Sequence, residues 1–250
     1  MKDWPYPRIF AHRGGGTLAP ENTLAAIRLG QSLGYRAHEL DVKLTGDDVP
    51  ILLHDPTLER TTSGRGRAAD LPWASLRGLD AGGWHSEPFR GEPLASFEQT
   101  ASLLREHGTL ANIEIKPTPG FDSATGARVA AEARRLWSGA AVPPLLSSFS
   151  FEALAAARRA APELPRGWLV REFTDADWER LAGLEAVSLH TDHRSFALER
   201  LPELHRRGYR VLLYTVNEVA TAERLLAAGI DGIFTDNLRE FAARFPERIR

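Results

Sequence analysis

One local order recurs along this 250-residue chain: an apolar stretch with helical spacing, then a glycine, then a short β-rich run that ends in polar residues. That succession is the arithmetic of repeated strand–helix units. Asn22-Thr23 can cap a helix in which Ala26, Leu29, Gly30 and Leu33 fall at i, i+3, i+4 and i+7, starting at about Glu21, and Gly34 stops it before a strand over 37–42. Ser96-Phe97-Glu98-Gln99 has capping-box spacing, Phe97, Ala101 and Leu104 form its apolar stripe, and Gly108 ends it before a strand over 110–115. Gly208 ahead of 209–215 and Gly229 ahead of 232–235 repeat the pattern. The weakest helix lies around Leu201-Pro202, because an interior proline kinks or splits a helix.

Strand ends placed at His12, Asp41, Lys116, Phe149, Arg171, His190, Asn217 and Asp236 make eight units, spaced by 29, 75, 33, 22, 19, 27 and 19 residues. Eight closes a parallel barrel, so the expected fold is α/β, a (β/α)8 TIM barrel. The strands at 167–171 and 186–190 are weak, and a doubly wound open sheet is the alternative. The single long gap holds another β-rich run at 49–54, separated from its predecessor by too few residues for a parallel crossover. It must therefore fold back as an antiparallel hairpin. From about 55 to 93 the chain is rich in Gly, Arg and Trp and weak in periodicity, which reads as a small inserted subdomain over the barrel mouth within one domain spanning 1–250.

Composition narrows the partners. Lys+Arg 31 against Asp+Glu 33 leaves a formal charge of −2, with no basic field for a nucleic acid and no polybasic run for an anionic membrane. The chain has no cysteine, which excludes disulfides, thiolate nucleophiles and zinc–thiolate sites. Met1-Lys2-Asp3-Trp4-Pro5 lacks an apolar signal core and no run suits a membrane span, so a cytoplasmic protein with a small-molecule partner is expected. Whether it forms a homo-oligomer is left open.

Side chains alternate along a strand, so Glu39 and Asp41 share a face, as do Glu114 and Lys116, while His38 points the other way. At the carboxyl ends of barrel strands such pairs point into the mouth. Three converging carboxylates repel one another and are costly to desolvate, and a bound cation resolves the conflict. Oxygen donors without thiolates favour a hard ion, Mg²⁺ or Ca²⁺. His12 and His54 each end a short apolar run and can move protons as acid and base. Arg13 and Lys116 can either pair with the carboxylates or grip an anion. Together these groups describe metal-assisted phosphoryl-ester hydrolysis. His85, His107, His190, His193 and His205 lack such contexts and read as structural. Phosphate-loop, nucleophile-elbow, zincin and dinucleotide motifs are absent.

The ordered set of motifs resembles the glycerophosphodiester phosphodiesterase family. It comprises His12-Arg13-Gly14, Pro20-Glu21-Asn22-Thr23, Glu39-Leu40-Asp41-Val42, His54-Asp55 and Leu58-Glu59-Arg60-Thr61-Thr62. Asp70-Leu71, Leu79-Asp80-Ala81-Gly82, Asn112-Ile113-Glu114-Ile115-Lys116, Ser147-Ser148-Phe149, Thr215-Val216-Asn217 and Asp231-Gly232-Ile233-Phe234-Thr235-Asp236 extend it over nearly the whole chain. The resemblance implies hydrolysis of glycerophosphodiesters, such as glycerophosphocholine or glycerophosphoethanolamine, to an alcohol and sn-glycerol 3-phosphate with one divalent cation. It implies Glu39, Asp41 and Glu114 as metal ligands, His12 and His54 as acid and base, Arg13 and Lys116 as phosphate-binding residues, and Phe149 and Tyr214 as pocket walls. The glycerol 2-hydroxyl is the implied first nucleophile, through a cyclic phosphate.

Three positions depart from the family pattern: Tyr214 replaces a Trp, Gly46-Asp47-Asp48-Val49 replaces an Asp-Gly turn, and Leu94-Ala95-Ser96 lacks a Pro-Thr. They bear on substrate choice. Two competing readings are a lysophospholipase of D or C type, with Trp73, Trp84 and Phe89 as an apolar ridge, and a catalytically silent binding barrel. The latter would be expected to have lost a histidine or carboxylate.

Overall fold

A computed structural model describes residues 4–249. The reading of Met1, Lys2 and Asp3 as part of a segment without a signal core lies outside them. The strands are β1 (Ile9–Ala11), β2 (Ala37–Leu44), β3 (Pro50–Leu52), β4 (Leu110–Ile115), β5 (Leu145–Ser148), β6 (Arg166–Val170), β7 (Ser188–Asp192), β8 (Arg210–Tyr214) and β9 (Gly232–Thr235). All pair in parallel except β3, which runs antiparallel on β2. Because β1 pairs with both β9 and β2, the sheet closes into a TIM barrel and the open-sheet alternative falls. Among the described residues no helix is long and apolar enough to cross a membrane.

The helices are α1 (Leu24–Ser32), α2 (Trp73–Leu76), α3 (Phe97–Glu106), α4 (Asp122–Leu136), α5 (Phe151–Ala160), α6 (Asp177–Gly183), α7 (Leu201–Arg206), α8 (Val219–Ala227) and α9 (Leu238–Arg244). Capping sets where they start. Thr23 accepts from the Ala26 amide, so α1 begins at Leu24 and not at Glu21, which is held in the preceding turn. Ser96 and Gln99 form the full reciprocal capping box on α3, whose Phe97, Ala101 and Leu104 are buried. Pro202 sits in the first turn of α7, where its missing N–H has no intrahelical partner to lose, so the proline that weakened this helix in sequence is compatible with it.

His12, Lys116, Phe149, Arg171 and Asp236 directly follow the last residues of β1, β4, β5, β6 and β9, which ranges them round one rim. Three expected ends shift: β2 runs past Asp41 to Leu44 because the hairpin extends it, β7 runs past His190 to Asp192, and β8 stops at Tyr214, three residues before Asn217. The hairpin turn works without Asp-Gly: Asp48 takes φ 59°, and the Thr45 hydroxyl accepts from the Val49 amide at 3.0 Å.

Between β3 and α3 the chain makes short helical turns and two antiparallel bridges, Thr57 with Arg67 and Asp80 with Pro93, around a small cluster of its own from Ile51, Leu53, Leu58, Ala68, Leu76, Ala81 and Leu94. Trp73 packs against this cluster, and Phe89 stands edge-on to His85, so Trp84 is the exposed member of the expected ridge.

His190 lies inside the barrel, with Nε2 2.9 Å from the Ser188 hydroxyl and Nδ1 without a partner. Gly167 makes room for it, since a Cβ there would stand 2.4 Å from His190 Nε2. Burial lowers the imidazole from 6.5 to about 3. The unfolded chain therefore binds the extra proton first as pH falls below 6.5, and stability declines by up to about 1.4 kcal/mol per pH unit from this group. We expect His190→Asn to flatten that acid limb in denaturant titrations between pH 6.5 and 4. An unchanged slope would show that His190 is not among the groups that set it.

Candidate active site

Parallel pairing brings the polar rungs together. Glu39 is in register with Asn112, and Asp41 with Glu114, so the alternation read along each strand becomes a patch across two strands. Carboxylate oxygens of Glu39, Asp41 and Glu114 all lie within 4.8 Å of one another, and all three side chains are buried. At an effective dielectric near 20, each ionised pair at that separation repels by roughly 3 kcal/mol. Two cations oppose this: Lys116 Nζ stands 2.8 Å from Glu114 Oε1 and 3.6 Å from Asp41 Oδ1, and Arg13 Nε is 3.7 Å from Asp41 Oδ2.

The loop after β1 wraps onto this cluster. Arg13 adopts φ 50° and its amide donates to Glu39 Oε2 at 3.0 Å. Asn22, at φ 58°, donates to Asp41 Oδ2 at 2.8 Å, and its carbonyl oxygen accepts the Asp41 amide at 3.0 Å. Gly16 permits the close return of the loop, because at φ 55° a Cβ would stand 2.2 Å from the Asp236 carbonyl oxygen.

Each histidine is held by a carboxylate. His12 Nδ1 lies 2.6 Å from Asp236 Oδ1, and Asn217 in turn donates to Asp236 Oδ2 at 3.1 Å. His54 Nδ1 lies 2.7 Å from Asp55 Oδ1. With Nδ1–H engaged in this way, Nε2 is the nitrogen free to exchange a proton. His12, Arg13, Glu39, His54, Glu114 and Lys116 all line one cavity of about 720 Å³. Its far side carries Phe149 and Tyr214, edge to face at 6.0 Å, together with Arg171 and Asp192. The Tyr214 hydroxyl donates to the Val170 carbonyl at 2.7 Å, so the ring rather than the phenol faces a ligand.

A sequence profile of the glycerophosphoryl diester phosphodiesterase family matches residues 12–240. A glycerophosphodiester phosphodiesterase from Caldanaerobacter subterraneus is 32% identical, with 92% of this chain and 93% of that protein aligned. The chain belongs to the glycerophosphoryl diester phosphodiesterase family. An Oleispira antarctica phosphodiesterase, solved in complex with the product sn-glycerol-3-phosphate, superposes with a TM-score of 0.89 at 32% identity, covering 97% of this chain and 98% of that one. An Agrobacterium tumefaciens glycerophosphodiester phosphodiesterase superposes with a TM-score of 0.79 at 29% identity, covering 95% and 99%.

As a member of this family, the chain concentrates its perturbed ionisations here. Burial, followed by the charges of Asp41 and Glu114, pushes the Glu39 carboxyl upward. Glu114 is also raised, by burial and Asp41. Burial acts upward on Asp41 too, but Lys116, Arg13 and His54 outweigh it and hold Asp41 low. Burial opposes protonation of His12, yet the Asp236 hydrogen bond and the Glu39 charge carry it above its usual value. His54 goes the other way: burial lowers it and Lys116 and Arg13 repel its proton, although Asp41 and Asp55 favour it.

Residue reasoning gave no role to four side chains that hold the site together: Glu21, Asp55, Arg60 and Asp236. Asp55 and Asp236 carried a local signal, one adjoining a candidate histidine and the other a strand end. Glu21 and Arg60 are 39 residues apart and nothing in their spacing pairs them.

Proposed function

We propose that this chain hydrolyses glycerophosphodiesters to an alcohol and sn-glycerol 3-phosphate, with Glu39, Asp41 and Glu114 holding one divalent cation, Mg²⁺ or Ca²⁺. The observation that carries the reading is a buried carboxylate triad whose Glu39 and Glu114 line one cavity together with two carboxylate-oriented histidines and two cations. Glu39 Oε1 and Asn112 Oδ1 are buried without hydrogen-bond partners, as oxygens reserved for a cation would be. Charge supports the same fit, because a divalent ion would offset the mutual repulsion of three buried carboxylates that Arg13 and Lys116 contact from one side. When bound, the ion neutralises phosphoryl oxygen as charge develops there.

Within this reading Arg13 and Lys116 grip the phosphoryl oxygens, and the Phe149–Tyr214 wall packs against an organic arm of the substrate. His54, whose surroundings favour the neutral ring, takes the proton from the glycerol 2-hydroxyl as that oxygen attacks phosphorus. His12, whose surroundings favour the protonated ring, gives one to the departing alkoxide. The 2,3-cyclic phosphate then accepts water at phosphorus, His12 now taking the proton from water and His54 giving one to O2 as the P–O2 bond breaks, which leaves sn-glycerol 3-phosphate. We take the chain as one cytoplasmic barrel domain with the segment at about 55–93 inserted. Small deacylated substrates are favoured over lysolipids because, of the apolar ridge expected on the insertion, only Trp84 is exposed.

The test strips the protein with chelator and assays glycerophosphocholine with Mg²⁺ or Ca²⁺ restored. Choline with sn-glycerol 3-phosphate is the expected product pair. Phosphocholine would indicate C-type cleavage, and no cation-dependent turnover on any diester would reject the proposal. Full turnover of a 2-deoxyglycerol analogue, with no cyclic product trapped, would remove the 2-hydroxyl step alone.

A further inference from the structure

The inserted segment reaches the reaction residues through one side chain. Arg60 donates to Asp55 from Nε at 2.5 Å and from Nη2 at 3.1 Å. The same guanidinium donates to Glu21 from Nη1 and Nη2, both at 2.8 Å. Glu21 Oε1 also accepts from Arg13 Nη1 at 2.8 Å. An unbroken line therefore runs from the His54 ring through Asp55, Arg60 and Glu21 to Arg13. An isolated exposed ion pair is worth little, but two facing carboxylates held by one planar fork define direction as well as charge. The insertion makes two further contacts here: His85 Nε2 meets the Thr17 carbonyl of the same loop at 3.1 Å, and Glu92 accepts from the Ala25 amide in the first turn of α1 at 2.9 Å.

We propose that Arg60 is a positioning residue that sets His54 and Arg13 relative to each other, so that the insertion clamps the glycine-rich loop after β1 onto the reaction centre. This rests on the roles given above to His54 and Arg13. The side chain is 44% exposed, so its truncation opens no core. Lysine is a poor substitute, because three donors on one point cannot span two carboxylates.

The test measures kcat and KM separately, together with melting temperature, on the cation-loaded protein with glycerophosphocholine. Asp55→Asn should lower kcat with little change in KM, and Glu21→Ala should raise KM through a slackened Arg13. Arg60→Ala should do both and lower kcat/KM by about 10–100-fold, the range for partners that orient a site group. In an Asp55→Asn, Glu21→Ala background, adding Arg60→Ala should cost less than about twofold, because its partners are already gone. Arg60→Lys should melt with the wild type yet lose most of the same activity. Wild-type kcat and KM in either Arg60 variant, or the full Arg60→Ala penalty in the doubly substituted background, would overturn the proposal. A fully active His54→Ala would remove both this reading and the one it rests on. An inactive His54→Ala beside an unaffected Arg60→Ala removes this one alone.

Discussion

Replacing His54 with alanine is expected to reduce kcat by roughly 10²–10⁴ while the melting temperature stays close to wild type. His54 follows a strand that is not a barrel stave, is 28% exposed, and has one side-chain partner, Asp55, which Arg60 still holds when the ring is gone. Little in the fold depends on the ring. The companion substitution separates acid from base. His12→Ala should cost a similar factor on glycerophosphocholine, whose leaving choline alkoxide needs a proton. It should recover much of its rate on a 4-nitrophenyl ester of glycerol phosphate, whose phenolate leaves without one. His54→Ala should recover nothing on that ester, since the nucleophile still has to be deprotonated. Rescue of His54→Ala alone would reverse the assignment, and rescue of both variants would remove it. A His54→Ala chain that fails to fold would make the ring structural.

The difference between these histidines was not legible in sequence, and the reason is physical. Each ends a short apolar run, and the run says only that the ring emerges at a strand end. What separates them is Asp236, from the other end of the chain, on one ring, and the repulsion of Lys116 and Arg13 on the other. Long-range partners of this kind leave no periodicity. By contrast the barrel was legible, because several of its staves repeat one local order: an amphipathic helix, a glycine at its end, and a β-rich run, as before β2, β4, β8 and β9. The carboxylates were legible for the same reason, since strand alternation set Glu39 beside Asp41, and adjacent parallel strands did the rest. His190 marks the limit of that logic. Its polarity placed the end of β7 two residues early, although the ring is buried inside the barrel against Ser188 and the strand continues to Asp192.

The carboxylate triad yields a prediction in which activity and stability move apart. Glu39→Gln should lower kcat/KM by about 10²–10³, the usual cost of losing one preorganised electrostatic element at a reacting centre. In chelator, however, the variant should melt no lower than wild type. Glu39 is the carboxylate whose ionised form is disfavoured by burial and by both neighbouring acids, and the amide keeps an oxygen for the Arg13 amide it now accepts. Removing its charge relieves repulsion and leaves Asp41 and Glu114 in place, with their hold on Lys116 untouched. Adding Mg²⁺ or Ca²⁺ should raise the melting temperature of the wild type by mass action and leave Glu39→Gln nearly unmoved. The two measurements together are decisive. A variant that loses activity but still gains stability from the cation would take Glu39 out of the ligand set, and one that melts well below wild type in chelator would mean that the charged carboxylate holds the barrel mouth together rather than waiting for an ion.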